Sequence, residues 1–130
     1  CANYAIWNKE KKYGCTAHLV NQRIDAGKII DVKSFKISKK IKLNTLLNKT
    51  YKKQYLQVKK VLNLILKDKN NLKKMIIYNK KIKWSKKIYS KKELDNFYII
   101  NLKNMTNNDF LRKKRATFLP RSKFKLRFIN

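Results

Sequence analysis

The stretch GCTAHLVNQRIDAGKII, residues 14–30, decides how this chain reads. It is an island in a lysine-rich sequence. Lys28 is its single lysine, yet it holds the one His of the chain, both Gly, one of two Cys and one of seven acidic residues. From Tyr13 to Val20 the side chains alternate. Cys15, Ala17 and Leu19 fall on one face and Thr16, His18 and Val20 on the other, which is the two-residue period of a β-strand. Asn21 to Gly27 is polar and ends in Asp-Ala-Gly, a turn signal. Lys28 to Phe35 carries Ile29, Ile30, Val32 and Phe35 and reads as a second strand, close enough to pair antiparallel with the first.

Asp25 stands out among the acids. Ile24 and Ala26 flank it and Gly27 follows, so its carboxylate sits at a strand-end turn, a common place for a group that faces a cleft. The plain alternative is a turn aspartate bonded to its own backbone. Asp31, Asp68 and Asp95 read as ordinary surface or turn residues. His18 is either a strand histidine with a satisfied ring or part of a cleft wall.

Working outward, residues 1–12 look like a helix end, with Ala2, Tyr4, Ala5, Ile6 and Trp7 packing and Asn8-Lys9-Glu10 leading to the surface. Downstream, Asn44 is a candidate N-cap. Leu43, Leu47, Tyr51, Val58, Leu62 and Ile65 recur at three- and four-residue multiples and predict an amphipathic helix ending near Lys67-Asp68, with Lys52, Lys53, Lys59 and Lys60 on its solvated face. Residues 68–89 read as a lysine-rich connector with short extended pieces at Met75–Tyr78 and Ile82–Trp84. Ser90-Lys91-Lys92-Glu93 has capping-box spacing, and Thr106-Asn107-Asn108-Asp109 repeats it with Asp. Phe124, Leu126 and Phe128 alternate as a last strand would. The expected division is 1–67 and 68–130. Two strands and one long helix leave apolar faces uncovered, so the chain reads as part of a larger α/β unit. Its start at Cys1 rather than Met fits a processed chain or a fragment.

The net charge is +28, from 30 Lys and 5 Arg against 7 acids. Readers of phosphate and bases lean on the planar fork of Arg, which is scarce here. Asn and Ile are also abundant. Lys, Asn and Ile share A- and T-rich codons, so an AT-rich genome accounts for this composition in a protein of any function. The apolar share of 43% suffices for a core. There is no eighteen-residue apolar run to span a membrane, no secretory leader pattern at the N-terminus, and no cysteine spacing for a metal or a disulfide framework. A reducing, cytoplasmic setting is expected. A Gly-rich phosphate loop, a serine elbow and a Cys/His cluster are all absent.

The segment YGCTAHLVNQRIDAGKII resembles the active-site strand pair of formyltransferases that use 10-formyltetrahydrofolate, the family of methionyl-tRNA formyltransferase and the sugar-nucleotide N-formyltransferases. Its pattern there is G-V-T-x-H, a variable stretch, then I-D-T-G. Gly14, Thr16, His18, Ile24, Asp25 and Gly27 match, with Cys15 for Val and Ala26 for Thr. NYAIWNKEKKYG is similar to the family's N-W-A-I-x-N-G-E, with Lys9 where Gly is usual. KKELDNF and FLRKKRATFLP resemble the tail of short members, where a helix leads into R-A-T-x-x-P, matched by Arg115, Ala116, Thr117 and Pro120.

The resemblance implies an α/β fold, the C-terminal part of a Rossmann-like formyltransferase domain with a strand pair, a long amphipathic helix and a short helical tail. It implies 10-formyltetrahydrofolate as cofactor, Asp25 as the catalytic aspartate, and His18, Ile24 and Gly27 as cofactor-binding residues. The family's catalytic Asn and His lie in an N-x-H-P-S motif that this sequence lacks, so this chain alone is expected to be inactive. There the His acts as base toward the acceptor amine, the Asn steadies the oxyanion, and the aspartate orients and charges the His. The implied partner is a small-molecule amine, a nucleotide-linked amino sugar before methionyl-tRNA, because only 13 residues follow Thr117 in this sequence where the tRNA enzymes usually carry a barrel-like domain, unless the C-terminus is also cut. A homodimer is compatible with this, and no membrane partner is expected. The competing reading is a small lysine-rich nucleic-acid-binding module, in which lysines and aromatics would share one exposed face.

Overall fold

The computed structural model describes residues 1–85, 87–120 and 125–129, and the backbone alone of Asn104. The elements run α1 (Ala2–Trp7), β1 (Lys12–His18), β2 (Ile29–Lys36), α2 (Leu43–Lys67), α3 (Asn70–Tyr78), α4 (Lys91–Phe97), β3 (Ile99–Asn101), a 3₁₀ turn (Leu102–Asn104), α5 (Asn107–Thr117) and β4 (Arg127–Ile129). The fold is mixed α/β, with two two-stranded sheets among the described residues, β1 with β2 and β3 with β4. Leu19 N donates to Lys28 O at one end of the first pair and Ile37 N to Lys11 O at the other. The partner numbers run in opposite directions, so β1 and β2 are antiparallel, as the alternation predicts. β3 and β4 pair in parallel, Ile100 opposite Phe128.

The chain divides into two compact units. One comprises 1–13, 36–48 and 87–130, the other 14–35 and 49–86.

In the first unit α1 packs on α5. Buried Asn3 joins them, its amide donating to Ala116 O at 2.8 Å and to the Tyr98 hydroxyl at 3.2 Å. Tyr4 stacks on Tyr89 with centroids 3.7 Å apart, and Phe97 meets both Tyr4 and Trp7. Leu46, Ile100 and Ala116 are fully enclosed. Burying each of the two large side chains is worth roughly 1.5–3 kcal/mol. Lys113 is also buried and places its ammonium 3.6 Å from the Phe97 ring centre, and burial lowers its pKa. Both expected caps form. Ser90 Oγ accepts from Glu93 N while the Glu93 carboxylate accepts from Ser90 N, and Thr106 Oγ1 accepts from Asp109 N. Lys9 has φ 58°, a left-handed conformation that an L side chain resists.

Three expectations change in the second unit and along α2. Residues 70–78 form helix α3 rather than extended pieces. Leu72, Met75, Ile76 and Asn79 lie on its more buried side, a helical spacing that the apolar run Met75–Tyr78 conceals. The Asn79 amide donates to Ile30 O at 2.8 Å and so ties α3 to β2.

The long helix α2 begins at Leu43, one residue before the expected cap Asn44. Its buried stripe is Leu43, Leu46, Thr50, Gln57 and Val61, while Tyr51, Val58 and Leu62 are exposed. The polar members of this stripe are invisible to an apolar count.

Asp31 is not a surface residue. It is 8% exposed, accepting from Gln57 Nε2 at 2.9 Å and from Lys60 Nζ at 3.0 Å. Burial raises its pKa, but the hydrogen bonds from Gln57 and Lys60 and the charges of Lys60 and Lys33 outweigh it and hold the carboxyl below its usual range. Lys60, expected on the solvated face, is thereby tied to β2. Among the terminal residues, Phe124 of the expected last strand lies outside the described residues, whereas Phe128 lies in β4.

Candidate functional site

The loop between β1 and β2 carries the candidate residues. Asn21 opens it, its side-chain oxygen accepting from Arg23 N at 3.0 Å in an Asx-type turn. Ile24 is exposed. Asp25 follows with φ 48°, again left-handed, a conformation that Asp tolerates better than most residues. The Asp25 carboxylate is exposed and accepts no hydrogen bond among the described residues. The turn-aspartate alternative, a carboxylate bonded to its own backbone, does not form.

Gly27 is needed for a reason other than φ, which is not positive. A Cβ built there would lie 1.6 Å from Leu19 O and 3.0 Å from His18 Nδ1. The loop closes so tightly that only hydrogen fits. Gly14 serves β1 in the same way, because a Cβ there would lie 2.2 Å from Lys33 O.

His18 stands beside this closure. Its Nδ1 lies 2.9 Å from Leu19 O, in position to donate to that carbonyl. The ring meets Trp84 in a T-shaped pair, with centroids 4.8 Å apart at 88°. Trp84 in turn donates its indole N–H to Gly27 O at 2.9 Å. His18, Gly27 and Trp84 therefore form one cluster at the base of the loop, while Ile24 and Asp25 occupy its exposed tip. The sequence pattern places Trp84 only in an extended piece. No local signal couples it to Gly27, 57 residues away. Cys15, at the Val position of the pattern, is buried, and burial together with the nearby Asp31 raises its thiol pKa, so it packs as an inert side chain.

Among the described residues no three His, Cys, Asp or Glu side chains gather as a metal site, and no helix is long and apolar enough to cross a membrane. Phe97 and Tyr98 are core and Trp84 is half-buried, whereas Tyr51 and Tyr55 lie exposed among the lysines of α2.

No protein-family model and no curated protein matches the sequence. Among solved structures, the chain is similar to a 4-N formyltransferase from Francisella tularensis, with 25% identity and a TM-score of 0.75. The match covers 99% of this chain and 50% of that one. The chain thus has the architecture of part of a formyltransferase and spans about half the length of the enzyme it matches.

Proposed function

We propose that this chain is part of a formyltransferase, that it holds the site aspartate at Asp25, and that the one-carbon donor is 10-formyltetrahydrofolate. The observation that carries the reading is the likeness of nearly the whole chain to a 4-N formyltransferase. The motif I-D-A-G at residues 24–27 supports it, because it occupies an exposed loop closed by an obligatory glycine. A transfer to nitrogen calls for an amine acceptor. The tail Arg115-Ala116-Thr117 with Pro120 favours a nucleotide-linked amino sugar over methionyl-tRNA.

The donor set fits part of a folate site. Ile24 offers apolar surface, and Asp25 offers a carboxylate free of protein partners among the described residues. Gly27 and His18 hold the loop base that positions both. When bound, the folate would supply the formyl group. Asp25 would hold the proton balance of a neighbouring base, since a carboxylate beside an imidazole favours its cationic form. A Rossmann-like sheet and the N-x-H-P-S base and oxyanion donor would come from the half of the fold that this chain does not span. The exposed α2 row of Tyr51, Tyr55, Val58, Leu62 and Leu66 is the face such a half would cover. The setting is cytoplasmic.

The test is formyl transfer by the protein expressed from the full reading frame that encodes this chain. 10-Formyltetrahydrofolate is the donor and an amino-sugar nucleotide the acceptor. Turnover is expected, and its absence with every amine acceptor overturns the reading. Tyr51 and Tyr55 beside Lys52 and Lys59 favour the nucleic-acid reading in one respect. That alternative requires tight binding that survives about 200 mM salt, beyond the counterion-release regime.

A further inference from the structure

We infer that the first unit contains an anion site for a small phosphate ester, built on two arginines one turn apart on α5. The site is a cavity of about 440 Å³ lined by Arg112, Arg115, Lys9, Lys11, Lys39 and Glu10. With Asp109 paired to Arg112, five cations there meet two carboxylates, a net charge of +3. Most lysines of this chain lie dispersed in solvent, but the two arginines do not. Each has its Nε–H buried with no acceptor among the described residues. These buried Nε–H groups are covered by protein, so an anion in the cavity would meet the outer guanidinium nitrogens instead.

The arrangement is preorganised. Asp109 holds the Arg112 Nη2 at 2.6 Å, and the guanidinium lies 4.4 Å from the Trp7 ring centre. Asp109 is itself placed by its backbone bond to the cap Thr106. Arg115 has no ion pair with any described acid. Fixed guanidinium groups bind oxyanions through paired, charge-assisted hydrogen bonds.

The excess of positive charge selects for a dianion over a monocarboxylate, and a phosphate ester carries close to two charges at neutral pH. The volume exceeds that of a bare phosphate. Ile6, Ile37 and Leu111 supply an apolar part of the wall for the ester group. The site rests on the first unit alone and holds whether or not the chain takes part in formyl transfer.

Phenyl phosphate and benzoate share a ring and differ in the anion. Calorimetric titration of the chain at fixed ionic strength is expected to give saturable binding of phenyl phosphate, at least tenfold tighter than benzoate. Arg115→Gln should weaken phenyl phosphate about tenfold, the scale of one charge-assisted bond. Lys59→Gln, an equal loss of charge on exposed α2, should change it less than twofold. If Arg115→Gln does not fold by circular dichroism, Lys39→Gln on the exposed rim takes its place and should weaken binding about threefold or more. Equal losses in the pocket and α2 variants would reduce the site to the general field of the lysines and overturn the inference. So would benzoate binding as tightly as phenyl phosphate, or titration without saturation.

Discussion

Trp84 donates its indole N–H to the carbonyl oxygen of Gly27 at 2.9 Å, and His18 forms a T-shaped pair with the same ring. One side chain from the irregular segment after α3 thus clamps the base of the loop that carries Asp25. Gly27→Ala should cost about 3 kcal/mol or more, because its Cβ would collide with backbone rather than with a flexible side chain. Trp84→Phe keeps a ring against His18 and should cost about 1 kcal/mol for the lost hydrogen bond. Urea unfolding of both variants checks this. A Gly27→Ala protein as stable as the parent would refute the close approach.

Asp31 gives a pH dependence of known sign. Its folded pKa lies below the unfolded value, so its contribution is fully present above about pH 4 and is lost as the pH falls through the folded value. Asp31→Asn should destabilise by roughly 1–3 kcal/mol at pH 7, and the gap from wild type should close in strong acid. A gap unchanged between pH 7 and pH 2 would remove the ion pair from the account.

Lys9→Gly should stabilise. The left-handed φ of 58° costs an L residue about 1–2 kcal/mol, and glycine avoids it at some cost in unfolded-chain entropy, for a net gain of about 0.5–1 kcal/mol. Glycine is also the residue of the resembling motif at this position. A lower urea midpoint for the variant would contradict the assigned turn.

Tyr55→Gln with Leu62→Gln should leave the unfolding midpoint within about 0.5 kcal/mol and reduce hydrophobic-dye binding and aggregation, because both side chains are more than half exposed. Loss of folding would show that this row packs within the chain instead.

Local signals were the most legible in the sequence. The caps at Ser90 and Thr106 depend on residues three apart, and the strand pair on simple alternation. The loop between the two strands was legible because its Asp-Ala-Gly turn signal is local. Asp31 was not, since its partners Gln57 and Lys60 lie 26 and 29 positions away and all three are polar. Helix α3 was missed because four adjacent apolar residues, Met75 to Tyr78, fit a strand as well as a helix. Its one decisive polar residue, Asn79, bonds to a strand 49 positions earlier. The stripe on α2 was misjudged for a related reason. Apolar spacing favours Tyr51, Val58 and Leu62, while the burial goes to Thr50, Gln57 and Val61 on a neighbouring line of the same helix.

The central claim is that the Asp25 carboxylate serves formyl transfer, and kcat of Asp25→Asn tests it most directly. The assay uses the protein from the full reading frame, with 10-formyltetrahydrofolate and an amino-sugar nucleotide. Asparagine keeps the size and tolerates the left-handed turn, so the substitution isolates the charge. Asp31 is buried and cannot serve as a control, whereas Asp95→Asn, on α4 in the other unit, can. Asp25→Asn is expected to lower kcat by roughly a hundredfold or more, the scale of losing an acid–base partner, with the unfolding midpoint unchanged and Asp95→Asn near wild type. Wild-type kcat in the Asp25→Asn enzyme would contradict the assignment and leave Asp25 a turn residue.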